Sequence, residues 1–239
     1  MNDWTESELR VLQAMATGTP VDLRSVRSVR LRAERLVDML TGTGRAADME
    51  PRALKVRGAR ITGAFDLEAR ALLCPVLLRD CHFDEPVILS EATAPAIRLP
   101  GCHLAALTAE QLRTTGSLEL NDGFSAAGGI RLSGAGVGGS LNLSGARLIG
   151  TGGRPALHAD GIAVEQSLLC RDGFSAEGEV RLVGARVGGV ISFDGASLRN
   201  AGGRVGAVRS PAQRRGRPAL PPGLHSRGGV TAVRCPDRR

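Results

Sequence analysis

The stretch from Ser117 to Gly153, SLELNDGFSAAGGIRLSGAGVGGSLNLSGARLIGTGG, is followed 50 residues later by SLLCRDGFSAEGEVRLVGARVGGVISFDGASLRNAGG. Without gaps, about 20 of the 37 aligned positions are identical. A repeat at fixed spacing means that each copy stacks on its neighbour and buries one face there. That constraint points to a solenoid rather than a closed globular core. The composition agrees with it. Gly is abundant at 32, aromatic residues are only 3%, and Tyr is absent, which suits a narrow core of small and aliphatic side chains.

A finer period lies inside the repeat. From Gly58 onward, Phe65-x-Leu67, Val76-x-Leu78, Val87-x-Leu89 and Ile97-x-Leu99 recur every 10 or 11 residues, with single apolar positions Leu72, Phe83, Ala94 and Leu104 between them. The predicted inward series is therefore 67, 72, 78, 83, 89, 94, 99 and 104. Steps of five or six match neither a helix nor a long alternating strand. They fit a chain that turns a corner after each short strand, with four faces and about 21 residues per coil. Two positions before every other inward residue stand Ala59, Cys81, Ala92, Cys102, Ala135, Ala146, Ala185 and Ala196, which predicts that only a small side chain fits there. Gly-Ala-x-aliphatic at 58–61, 134–137, 145–148 and 184–187 reads as a corner needing unusual backbone angles. The Gly-rich segment at 150–155 is an insertion expected to protrude. About seven coils fit residues 46–203, a rod of about 35 Å at the spacing of strands in a sheet.

The ends differ. Thr5-x-x-Glu8 has the form of a capping box, with Trp4 and Leu9 placed for a hydrophobic staple. It predicts a helix over about 5–17, ending near Gly18. A second helix is expected over about 25–41, because Val26, Val29, Ala33, Leu36, Val37 and Leu40 share a face. Arg27, Arg30 and Arg35 on its other faces admit a DNA-gripping helix-turn-helix. A helical cap over residues 1–45, covering the first coil, is the preferred reading. Residues 204–239 are rich in Arg, Pro and Gly, lack the period, and are expected to be disordered. They hold nine Arg and one acid, so of the net charge of +7 they contribute +8 and residues 1–203 contribute −1. The basic character belongs to the tail, which would bind nucleic acid or anionic lipid weakly and non-specifically.

The five-residue step with its small residue two places earlier resembles pentapeptide-repeat proteins, which form right-handed quadrilateral β-helices. The Gly-rich variant, with GARITG at 58–63, DGFSA at 122–126 and 172–176, and RLxGAxVGG twice, resembles an actinobacterial group often labelled membrane-associated oxidoreductase. The resemblance covers residues 1–203. It implies a mainly β fold with a helical N-terminus, and by its label a redox activity. Some pentapeptide-repeat rods mimic DNA and bind topoisomerases, which requires a strongly acidic surface, and residues 1–203 carry only −1.

No stretch approaches the roughly 18 apolar residues of a membrane span, the N-terminus is polar, and five Cys at irregular spacing make no disulfide framework. The cytoplasm, or a peripheral place on a membrane, is the expected location. Four constellations invite chemistry. Gly134-Ala-Gly136-Val-Gly138-Gly139 matches GxGxxG, but a strand-like stretch follows where a dinucleotide loop needs a helix, and Arg186 replaces the middle Gly in the second copy. GFSAxG at 123–128 and 173–178 is one residue too long for a nucleophile elbow. Cys81-His82 and Cys102-His103 stand one coil apart and suggest zinc, yet adjacent strand residues point to opposite faces. His158-Ala-Asp160 offers an acid–base pair without a nucleophile. The sequence assigns no catalytic, cofactor-binding or metal-binding residue and no cofactor. It leads to a non-catalytic β-solenoid scaffold whose partner is an unidentified protein, or a second copy meeting the open solenoid end.

Overall fold

The structure, a computed structural model, describes residues 4–24 and 29–199. The chain winds as a parallel β-solenoid of about six turns. Four parallel sheets, here faces A to D, contain eight, eight, six and five strands. The expected count of about seven coils lies between the six full turns and the eight strands of the two longer faces. Most strands are two residues long. Parallel strands normally need a long crossover; here each coil is itself the crossover. Ile97 pairs with Val76 behind and Leu118 ahead, and Leu118 pairs with Leu141. Leu141 pairs with Leu168, a longer step that contains the insertion. Residues 151–154 of that insertion are all exposed.

The inward series is buried throughout, from Leu67 at 0% exposure to Ala94 at 6%. Ala59, Cys81, Ala92, Cys102, Ala135, Ala146 and Ala185 are buried two positions earlier, and Ala196 partly so. The rule that only a small residue fits there is corrected by the structure. Phe124 and Phe174 occupy the same position, both fully buried, with Ala126 and Ala176 at the centre of the face in place of Leu or Phe. Leu112 before Thr114 and Ile162 before Val164 are further exceptions. The core fixes the summed volume of the pair rather than the size at one position, as close packing requires.

Corners between faces A and B, and between C and D, take a left-handed backbone. Gly134 has φ 66°, but Asp80, Glu91 and Gln111 adopt φ of 52°, 58° and 55° at equivalent corners. The left-handed turn therefore belongs to the coil geometry, and non-glycine residues accept a strain of order 1 kcal/mol to make it.

The N-terminal helix α1 spans Glu6–Thr17, with the complete Thr5–Glu8 capping box and a left-handed Gly18 at its end. The second helix, α2, is shorter than expected. It spans Ala33–Thr41, residues 25–28 lie outside the described residues, and Arg30–Arg32 form a strand paired with Arg60–Thr62. The apolar spacing of 26–40 fits a helix, but Arg30-Leu31-Arg32 also alternates. Burying Leu31 beside Ile61 and completing the edge ladder outweighs the helical alternative. Helix α2 and a short 3-10 turn at Gly44–Ala46 come in chain order where faces C and D of the first coil would stand. α2 packs against Phe65–Asp66, the first strand of face C, and α1 against Leu54–Arg57 on face A. Residues 200–203 and the 204–239 tail lie outside the described residues.

One buried ion pair ties this end together. Glu8 is fully buried and accepts hydrogen bonds from the Thr5 amide at 2.9 Å, the Arg32 amide at 3.1 Å, and Arg32 Nε and Nη2 at 2.9 and 2.6 Å. Burial acts to raise the Glu8 carboxyl, but hydrogen bonds from Arg32 and Thr5 outweigh it and hold the pKa at about 2. Arg32 in turn stands at the N-cap of α2, so the carboxylate links both helices to the first strand of face B.

Two outcomes are expected. Leu132→Asp or Leu143→Asp, each at a fully buried position, places a carboxylate in a dry core and abolishes the cooperative thermal transition seen by circular dichroism. Glu8→Gln costs about 2–3 kcal/mol in chemical denaturation, somewhat under the loss for a fully buried pair because Arg32 is one-third exposed. The folded-state pKa lies below the ordinary value of 4.5, so this carboxylate stabilises the fold fully above that pH and the stability is lost as pH falls toward 2. Melting of Glu8→Gln should accordingly be the flatter of the two across that acid range, compared with the unsubstituted chain.

Candidate functional site

Once the coils are in register, each outward position becomes one member of a row along the rod. On most of the surface these rows pair opposite charges across coils. Arg98 meets Glu119 at 3.1 Å, Arg131 meets Glu110 at 2.8 Å, and Arg57 meets Asp80 at 2.7 Å. Exposed pairs of this kind each contribute about 0–1 kcal/mol. Their larger effect is to leave the Arg-rich body without a free basic field.

Face B combines two such pairs with a row that carries no acid. Its strands register Arg30, Arg60, His82, His103, Ser125, Arg147, Ser175 and Ser197 in one outward row. Every member can donate a hydrogen bond and none is acidic. The two carboxylates of the adjacent outward row are held at either end of the central stretch: Asp84 by Arg60 Nε at 2.7 Å, and Glu177 by Arg147 Nη2 at 3.0 Å. Between them, the His82 and His103 rings have centroids 6.5 Å apart, and His103 Nδ1 lies 2.7 Å from Ser125 Oγ. His82 Nε2 is 3.8 Å from Asp84 Oδ1. The residues two places after His103 and Ser125 are the short, exposed Ala105 and Ala127.

The first copy of the GFSA motif has a histidine beside it. His103 is 22 residues away in sequence, one coil back, and coil length was the signal that could have found it. The second copy lacks this feature, because Ser175 registers with Arg147 instead. The pair is a hydroxyl with a base in reach, which is where nucleophilic catalysis begins. Acyl transfer also needs free amide donors for an oxyanion. The Ser125, Ala127 and His103 amides are instead committed to the carbonyls of Cys102, Leu104 and Cys81.

The other constellations resolve into packing. Gly134 turns a corner, Gly136 and Val137 form a strand, and Leu141–Asn142 is the next strand, so no helix starts after the glycines. A side chain at Gly138 would collide with the Thr114 and Thr115 carbonyls of the preceding coil, whereas one at Gly136 would meet only the flexible Arg113 side chain at 3.0 Å. Arg113 reaches over Gly136 to donate to the Gly134 carbonyl at 2.6 Å. The position registers next with Ala163 and then Arg186, which explains why the second copy accommodates an Arg there.

Cys81 and Cys102 point inward, fully buried, and their His neighbours point outward, so the four do not converge. The neighbouring Cys81 sulfur, together with burial, pushes the Cys102 thiol up, and burial alone does so at Cys170. These thiols behave as small apolar groups. Asp160 accepts from Arg181 Nη2 at 2.6 Å, the Val183 amide at 3.0 Å and His158 Nε2 at 3.2 Å. Partial burial opposes its ionisation, but the Arg181 hydrogen bonds prevail and hold it below the usual carboxylate range. It is a saturated structural anion rather than an available base.

The glycine assignment can be checked by melting. Gly138→Ala is expected to cost about 1–3 kcal/mol through its backbone clash, and Gly136→Ala less than about 1 kcal/mol. Equal losses would contradict the assignment. Compared with family models, curated proteins and solved structures, the chain matches none; the fold itself agrees with a pentapeptide-repeat-like architecture.

Proposed function

We propose that this protein is a non-catalytic β-solenoid scaffold that docks a protein through the end of the rod remote from its helices. The observation carrying this reading is the difference between the two ends. At the N-terminal end, α1 and α2 cover the core. At the other end the last strands on faces C, D and A are Val180–Arg181, Arg186–Val187 and Ile191–Ser192. Among the described residues, no strand pairs with the outer edges of these three. Val183 and Val190 are 49% and 56% exposed there, while Val180, Ile191 and Phe193 are only partly buried. Open strand edges beside exposed apolar side chains are a template for another strand or another apolar surface. The occupant is an unidentified protein or a second copy of this chain.

The test combines size and spectrum. Sedimentation of the full chain is expected to give a species above the 24.9 kDa monomer, or a complex with a candidate partner, that is lost in Val183→Asp/Val190→Asp. Retention of the assembly in that variant, or a monomer that binds no candidate, would overturn end-on docking. Stoichiometric flavin or nicotinamide in the absorbance spectrum of the purified protein would replace the scaffold reading with an oxidoreductase.

A further inference from the structure

We propose that face B binds a tetrahedral oxyanion, a phosphoryl or sulfuryl group, at His82, His103 and Ser125, and that protonation of His103 switches the site on. Three observations converge. The outward row from Arg60 to Arg147 contains only donors. Of the neighbouring carboxylates, Glu177 is held by Arg147 on a coil two steps beyond Ser125, and Asp84, although 3.8 Å from His82 Nε2, is partly neutralised by Arg60 at 2.7 Å, which lowers its repulsion of an anion on the His103–Ser125 side. The residues two places after His103 and Ser125, Ala105 and Ala127, are exposed and short, so no long side chain at these positions screens the His103–Ser125 pair.

The switch follows from the 2.7 Å His103–Ser125 contact. With the ring neutral and Nδ1 accepting, the Ser125 proton points at His103 and is not offered outward. With the ring protonated, Nδ1–H donates to Ser125 Oγ. The hydroxyl proton is then free to turn outward, and Nε2–H remains a charged donor. Starting from the tautomer in which Nδ1 accepts, one proton creates a charge and releases a second hydrogen-bond donor at the same place. Charge-assisted donors of this kind are the stronger ones, and imidazole gains its charge in the range of about pH 5–8. The groups facing the two rings are Arg60 and Asp84 beside His82, Ser125 beside His103, and Arg147 beyond Ser125. The corner residues Asp80, Glu85 and Asp122 flank the row, with Asp80 bound to Arg57 at 2.7 Å and Asp122 to Arg79 at 3.2 Å.

The site is independent of the docking end, on another part of the rod, so either proposal can fail without the other. Sulfate is the cleaner probe because it does not titrate in this pH range. Imidazole NMR signals of the full chain are followed while sulfate is added at about pH 6 and about pH 8. His82 and His103 are expected to shift saturably, His158 is not, and affinity should fall about tenfold at the higher pH. His103→Gln and Ser125→Ala should each weaken binding at least about fivefold. Ser175→Ala, the same motif without the histidine, should leave binding unchanged. Circular dichroism confirms that the exposed-face variants are folded. Inorganic phosphate and a phosphate monoester run in parallel identify the source: tighter binding of the ester assigns the site to a phosphoryl group on a larger molecule, equal binding to the free anion. Absence of a saturable shift, an equal shift at His158, or equal losses in Ser175→Ala and Ser125→Ala would overturn the proposal.

Discussion

The rest of the molecule depends on the main-chain ladder between successive coils. Each strand of only two to four residues would be worthless as an isolated hairpin partner. It persists because the residue above and the residue below are held by the same ladder, as in Cys102 to His103 to Ser125, where the His103 amide donates to the Cys81 carbonyl at 2.9 Å and the Ser125 amide to the Cys102 carbonyl at 2.8 Å. The coil must then close on itself at four corners, and the left-handed residues at Asp80, Glu91 and Gly134 are what that closure demands. Inward positions stack into columns that are apolar apart from Thr114 on face D, and no column has room for a side chain that its opposite number does not accommodate.

That ladder also organises the surface. Residues far apart in sequence become neighbours at the spacing of a sheet, about 4.8 Å, and are repeated along the rod. Where the rows pair charge with charge, as at Arg131 and Glu110, the surface is neutral and merely solvated. Where a row holds donors only, as on face B, the same geometry concentrates hydrogen-bonding capacity. The function of such a rod lies in its rows and ends rather than in a cavity. The buried Glu8–Arg32 pair acts differently. It fixes where the first coil begins, by joining two helix starts and one strand.

Most of the fold was legible because the solenoid writes its period into the chain. The inward columns from Leu67 to Leu104 could be read from five- and six-residue steps alone, and Cys81 and Cys102 were correctly placed in the core by parity. The second helix is shorter than its apolar spacing predicts because Arg30-Leu31-Arg32, inside that spacing, also alternates as a strand, and only the edge of face B decides between them. The small-residue position was overstated because Phe124 and Phe174 trade volume with Ala126 and Ala176 across the same face. A pattern read one position at a time does not register such an exchange.

The sequence by itself determined the coil, its corners and its core, because these depend on local spacing and side-chain size. Only the tertiary structure decided which outward residues meet. A step of about 21, 22 or 23 residues differs little in sequence, yet a slip of one position turns a side chain from the surface to the core. His103 therefore becomes the partner of Ser125, and Asp84 and Glu177 are drawn aside, only when the register is fixed by backbone hydrogen bonds. Glu8 likewise reads as half of a capping box until the fold brings Arg32 over it and buries its charge.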